Sequence, residues 1–187
     1  MNKFSFLLII YFFCISCSQE TNNKSVINEK SLDLQVLEAY QDGMNELENG
    51  DVLFAAKKFN EAEILFPQSE WAPKSALMAA YSYYSQDYLD DAIAELDRFL
   101  IVYPLSKNKD YAIYLLANSH YEKIVDEKKD LQSILLAKKH FNEVLKNYPN
   151  TEYALDSEFK LDLINDILAS KEMYIGRYYF DKKKWIP

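Results

Sequence analysis

From about residue 33 onward, apolar residues recur at helical spacing in stretches broken by short polar turns. Three of these stretches superimpose when aligned on their prolines. Ala55, Phe59, Ala62 and Pro67 are spaced four, three and five apart. Ala92, Leu96, Phe99 and Pro104 repeat that spacing, as do Ala137, Phe141, Val144 and Pro149. A small alanine lets one helix approach another closely, the larger residue a turn later fills the gap, and proline then stops the helix. Each aligned stretch therefore reads as the second helix of a pair. First helices are predicted upstream, over about 33–48, 71–85 and 108–124, with Gly43, Ala80 and Ala117 as the small residues where helices cross. Gly50-Asp51 supplies the turn inside the first pair.

Prolines 67 and 104 stand 37 residues apart, whereas 104 and 149 stand 45 apart. The third pair therefore carries an insertion, placed in the charged run 125–133 between its helices. After Pro149 no turn signal appears until Gly176, which predicts one long helix capped at Asn150 or Thr151. Leu161, Ile164, Leu168, Ile175 and Tyr179 mark its apolar stripe. The sequence reaches Pro187 where a second helix would begin, and the polar cap that terminal repeats need is missing. A C-terminally truncated array, or one covered by a partner, is the expectation.

The aligned pattern is similar to the second half of the tetratricopeptide repeat, a helix–turn–helix unit of about 34 residues. The predicted fold is all-α, a tetratricopeptide-repeat superhelix (α-solenoid) of antiparallel helix pairs over 32–187. Its repeats fall at about 33–67, 71–104 and 108–149, with an incomplete fourth at 151–187. Only 3 glycines and 5 prolines starve the chain of hairpin turns, in keeping with helix throughout.

The N-terminus follows a different plan. Both cysteines, Cys14 and Cys17, close an apolar run too short to span a bilayer, which takes about 20 residues. A redox pair would need a folded setting to lower one thiol's pKa, and zinc would need two further ligands. The histidines, His120 and His140, are isolated in sequence and read as ordinary helix residues. Lys3, the apolar run and the small residues after it read instead as a secretory signal. The stretch resembles a bacterial lipoprotein signal, which implies cleavage before Cys17 and acylation of that cysteine, palmitate included. Phe13 is too bulky for the subsite that Cys14 would require. Residues 1–16 are then leader and 17–31 a polar, flexible tether. Stable anchoring takes more than one lipid chain, a demand that lipoprotein acylation meets. By the same resemblance, Ser18 in place of an inner-membrane retention aspartate implies an outer-membrane address, facing the periplasm.

Formal net charge is −8, and loss of Lys3 with the leader makes it −9. That balance argues against nucleic acid, whose phosphates need clustered Lys and Arg. Lys182-Lys183-Lys184 reads as a solvated helix end. No nucleophile elbow, Walker loop or metal motif occurs, so no enzyme, cofactor or metal is expected. The carboxylate pairs Asp90-Asp91 and Asp162/Asp166 fall on faces predicted to be exposed.

Fifteen tyrosines are many for this length. Tyr40, Met44, Tyr81, Tyr84, Tyr114, Asn118 and Tyr121 fall on the first-helix face that lines the inner groove of such a superhelix. Tyrosine suits peptide recognition, where a rigid apolar body carries a hydrogen-bonding tip. Packing against the neighbouring repeat is the alternative for each of them. Tyr83 and Phe99 are assigned to the core.

Four strings narrow the family: Ala80 to Tyr84, Asp97 to Leu100, Asp110 to Tyr114, and Lys171 to Tyr179. Together with the anchor and the third-repeat insertion, they resemble the BamD family of lipoproteins from the outer-membrane β-barrel assembly machinery, over 33–186. The resemblance implies a non-catalytic scaffold and receptor for unfolded outer-membrane proteins. Its implied partners are the barrel-forming assembly subunit, accessory lipoproteins and the membrane through the N-terminal lipid. In that family the C-terminal repeats bind the barrel-forming subunit, and the N-terminal repeats recognise an alternating aromatic and hydrophobic signal. Against five family repeats, three and a half are present. A general periplasmic tetratricopeptide-repeat scaffold of a cell-envelope complex is the alternative.

Overall fold

Side-chain oxygens start three of the helices. Ser31 accepts from the Leu34 amide ahead of α1 (Leu32–Glu48), Asp51 from Phe54 ahead of α2 (Val52–Leu65), and Thr151 from Ala154 ahead of the last helix (Glu152–Asp181). Between them lie α3 (Trp71–Tyr84), α4 (Leu89–Val102), α5 (Lys109–Glu122) and α6 (Leu131–Asn147), so the last helix is α7. The computed structural model describes residues 31–124 and 131–183. Among these there are seven helices and no strand, and they belong to one compact unit that begins at Ser31. Residues 1–30, which hold the expected leader and all of the expected tether but Ser31, lie outside the described residues. No helix among those described is long and apolar enough to cross a membrane.

Each helix packs chiefly on its sequence neighbours, and α1 with α3, α3 with α5 and α5 with α7 also touch. The first helices therefore line up side by side along one wall, while the second helices stand further apart, which curves the stack towards the first-helix side. This all-α solenoid is the predicted architecture. The aligned residues are its core: Ala55, Phe59, Ala62, Ala92, Leu96, Phe99, Ala137, Phe141 and Val144 are all fully buried. Gly43 is required by contact, since a Cβ there would stand 2.8 Å from the Phe59 ring. Gly50 is required by conformation, at φ +84° in the α1–α2 turn.

Three details depart from the sequence expectation. The third-pair insertion is divided between the segment joining α5 to α6 and α6 itself, which has 17 residues against 14 in α4. Leu131, Gln132 and Ser133 are helical, and 125–130 lie outside the described residues. In α7, Leu161, Ile164 and Leu168 pack as predicted but Ile175 is exposed, because the 30-residue α7 runs past the start of α6. Tyr83 sits at the rim of the core rather than within it. It lines an open cleft of about 510 Å³ with Lys57, Asn60 and Ile64.

A polar joint ties the second helices together. Arg98 on α4 donates to both Glu63 oxygens on α2, at 2.8 and 2.7 Å, and Tyr103 donates to Glu63 at 2.7 Å. Burial alone would raise the Glu63 pKa, but the hydrogen bonds from Arg98 and Tyr103 outweigh it and hold the carboxyl below its ordinary value.

Candidate peptide-binding groove

Because α3, α5 and α7 lie next to one another, tyrosines at matching turns of successive first helices come together. Tyr114 on α5 stacks on Tyr153 of α7 with ring centroids 5.1 Å apart, and Tyr111 packs on the same ring at 5.4 Å. Tyr84 on α3 lies within electrostatic range of Tyr111 and Tyr114, and Tyr81 within range of Tyr111. All five rings are half-buried, so each keeps an open part.

Two of the hydroxyls are tied down by the next repeat. Tyr84 donates to Glu122 at the end of α5, and Tyr114 donates to Asp156 of α7 at 2.7 Å. Burial is the main reason both phenols titrate above their ordinary value, with the carboxylate contacts adding to it; Tyr114 is pushed up to about 12. Tyr111 also rises to about 12, through burial first and neighbouring phenols second. These tyrosines are therefore neutral across the biological pH range, with the two hydroxyl protons already engaged. The groove presents ring surface edged by carboxylate. Lys160 closes one end, its ammonium 4.5 Å from the centre of the Tyr121 ring.

Of the predicted groove residues, Tyr81, Tyr84 and Tyr114 join this surface, and Tyr121 flanks it, packed edge-on against Phe141 at 6.4 Å. Tyr40 and Met44 do not. Tyr40 is held between Phe59 and Trp71, at 5.2 and 5.1 Å, and Met44 packs with the Phe59 cluster of the first helix pair. Asn118 is a correction: it is buried, and its amide donates to the Tyr114 carbonyl at 3.3 Å instead of facing the groove. Cys17 lies outside the described residues.

Sequence reasoning missed Tyr111, Tyr153, Glu122, Asp156 and Lys160, which complete the surface. Tyr111 lies one turn before Tyr114 and could have been found from helical spacing alone. The long-range partners carry no local signal. The two histidines, read as isolated, are stacked with centroids 5.9 Å apart and planes 6° from parallel. Both are buried, and burial holds both below the ordinary imidazole pKa. His140 Nδ1 approaches Glu143 at 3.4 Å without a well-aligned hydrogen bond. Among the described residues no cluster of three or more His, Cys, Asp or Glu could hold a metal ion.

The sequence is similar to several known proteins. The sequence is 41% identical over 140 residues to the outer membrane protein assembly factor BamD of Caulobacter vibrioides, covering 75% of this chain and 46% of that protein. It is 34% identical over 179 residues to the BamD of Rickettsia prowazekii, covering 96% and 69% respectively. For the BamD of Neisseria meningitidis serogroup B, identity is 31% over 164 residues, covering 82% and 61%. The chain thus spans from about half to about two thirds of the length of these relatives. The YfiO family model, described as an outer membrane lipoprotein, matches residues 32–187, and the chain belongs to that family of outer-membrane protein assembly lipoproteins.

Proposed function

We propose that this protein is a non-catalytic, lipid-anchored component of an outer-membrane β-barrel assembly complex, acting as scaffold and as receptor for unfolded outer-membrane proteins. The observation that carries the receptor role is the set of half-buried rings Tyr81, Tyr84 and Tyr111 over one core cluster and Tyr111 and Tyr114 against Tyr153, with two hydroxyls held by carboxylates of the next repeat. Rings fixed before binding lose little entropy when a ligand arrives, which favours recognition by apolar contact. An extended segment alternating aromatic and hydrophobic residues offers one apolar edge to such a surface. In this reading Cys17 carries the lipid, the tether lets the solenoid face the periplasm, and the barrel-forming subunit and accessory lipoproteins are its partners.

The test is a fluorescence titration of a peptide that alternates aromatic and aliphatic residues and ends in an aromatic one, beside a polar scramble of equal charge. Selective binding that changes little between low and high salt is expected, since ring contact rather than charge supplies the affinity. Equal binding of the scramble, or affinity lost with rising salt, would refute the reading.

A further inference from the structure

Tyr114 and Tyr121 stand two turns apart on α5, and both pack edge-on against Phe141 of α6, with ring centroids at 6.3 and 6.4 Å. Beside them, Tyr153, Asp156 and Lys160 are spaced three and four apart and so share one side of α7. Each meets α5 in turn. Tyr153 stacks on Tyr114, Asp156 accepts the Tyr114 hydroxyl, and the Lys160 ammonium lies 4.5 Å from the centre of the Tyr121 ring. Lys160 follows Asp156 by about 6 Å of helix rise. Lys160 and Tyr121 are both half-buried, and among the described residues no carboxylate comes within ion-pairing distance of the ammonium. Asp156, the acid one turn away, is engaged by Tyr114 instead.

On the reading of the groove as a peptide receptor, we propose that Lys160 is a specificity residue, taking a carboxylate that closely follows an aromatic residue of the bound segment. A ligand ring seated on Tyr114 and Tyr153 leaves about 6 Å to Lys160, and an extended chain advances about 3.3 Å per residue. The anion therefore belongs to the aromatic residue itself, as a terminal carboxylate, or to one of the next two residues, as an Asp or Glu side chain. Both sources offer the same group to the ammonium. Half-sheltered on the Tyr121 ring, that contact is screened less than one in open water. The rest of the rim opposes an anion, because Glu122 and Asp156 are the carboxylates that hold Tyr84 and Tyr114. One attracting end and repulsion elsewhere give the groove a direction. A segment reversed end for end would carry its carboxylate towards α3, where Glu122 meets Tyr84. Ring contact still supplies most of the affinity, so the salt dependence stays that of a single ion pair.

Fluorescence titration of the full chain with four peptides tests this role. All share one body of alternating aromatic and aliphatic residues. The first ends in an aromatic residue with a free carboxylate, and the second is its C-terminal amide. The other two are amides extended past that residue by Glu or by Gln. A carboxylate should raise affinity for the wild type about fivefold over its neutral counterpart, the size of a good surface ion pair. Preference for the free acid over its amide assigns the contact to the chain terminus, and preference for Glu over Gln assigns it to a side chain; either supports the proposal. Lys160→Met keeps the stem on Tyr121 and should erase the preference while binding the neutral amides as the wild type does. Lys160→Arg should restore it. Equal affinity of charged and neutral peptides for the wild type, or a preference that survives Lys160→Met, overturns the proposal and leaves recognition by ring contact standing, because the neutral amides still bind. Failure of all four peptides to bind refutes the receptor reading, and the role of Lys160 falls with it.

Discussion

The joint formed by Glu63, Arg98 and Tyr103 makes an asymmetric prediction about stability. Arg98→Met keeps most of the side-chain stem but removes both bonds to Glu63 and the 2.8 Å bond to Glu95. It leaves the Glu63 carboxylate, whose side chain is only 10% exposed, with Tyr103 as its remaining partner. Stripping one member from a fully buried pair costs about 3–5 kcal/mol. The Arg98 side chain is 38% exposed, so solvent screens the pair, and about 2 kcal/mol is the appropriate expectation. For a domain of this size that corresponds to a fall of roughly 4–8 °C in melting temperature. Glu63→Leu should cost less, about 1 kcal/mol, because Arg98 keeps Glu95 and can turn to water. The double variant buries no lone charge and should therefore be more stable than Arg98→Met alone. Circular-dichroism melts of all four proteins measure the coupling directly. The effect should also depend on pH. The folded-state pKa of Glu63 is lowered, so its contribution is complete above the unfolded value of about 4.5 and is lost as pH falls through the folded value. The gap between wild type and Arg98→Met should accordingly narrow in acid. An Arg98→Met melt matching wild type at neutral pH, or a double variant no better than that single, would refute the reasoning.

Gly43→Ala tests helix crossing against helix propensity: alanine gains about 1 kcal/mol as a helix former, yet its Cβ would meet Phe59 at 2.8 Å, so a net loss of about 1 kcal/mol is expected in chemical denaturation. A stabilised variant would show that Phe59 yields easily. Ala92→Trp and Ala137→Trp, at fully buried crossings, should each exceed the ~1–3 kcal/mol typical of overpacking, and unchanged melts would contradict the helix register. The buried histidines should make the third repeat acid-sensitive in a separate window. Their folded pKa values are lowered, so their stability is complete above about 6.5 and is lost as pH falls below it. Lys123 and Lys139 reinforce this effect and Asp97, Asp90 and Glu143 oppose it. Denaturation midpoints of His120→Phe with His140→Phe should be flatter with pH than those of wild type between pH ~5 and ~7.

The helix pairs were legible because their signals are local. Alanine, a larger apolar residue and proline at fixed spacing encode each crossing, and the fully buried Ala55, Ala92 and Ala137 lie where that spacing puts them. A companion signal went unread: an aromatic precedes the proline in every repeat, as Phe66, Tyr103 and Tyr148, and each packs under its own repeat. The groove was legible only in part. Helical register puts Tyr81, Tyr84 and Tyr114 on one face, but the register cannot tell a buried Asn118 from an open one. Neither can it pair Tyr84 with Glu122 or Tyr114 with Asp156, 38 and 42 residues away. The stacking of His120 on His140 is invisible for the same reason, because it depends on how α5 and α6 meet.

Ring contact in the groove is the central claim, and paired tyrosine variants test it most directly. Tyr81→Ala with Tyr114→Ala removes two rings, and a hot-spot ring is worth roughly 2 kcal/mol, or about thirtyfold in affinity. Tyr84→Phe with Tyr114→Phe removes only hydroxyls that are already engaged by Glu122 and Asp156. Titrating the aromatic-ended peptide into both variants, with helix content checked by circular dichroism, should show binding abolished in the alanine pair and retained in the phenylalanine pair. Wild-type affinity in a folded alanine pair would make the groove a structural seam, and would favour the general envelope scaffold instead.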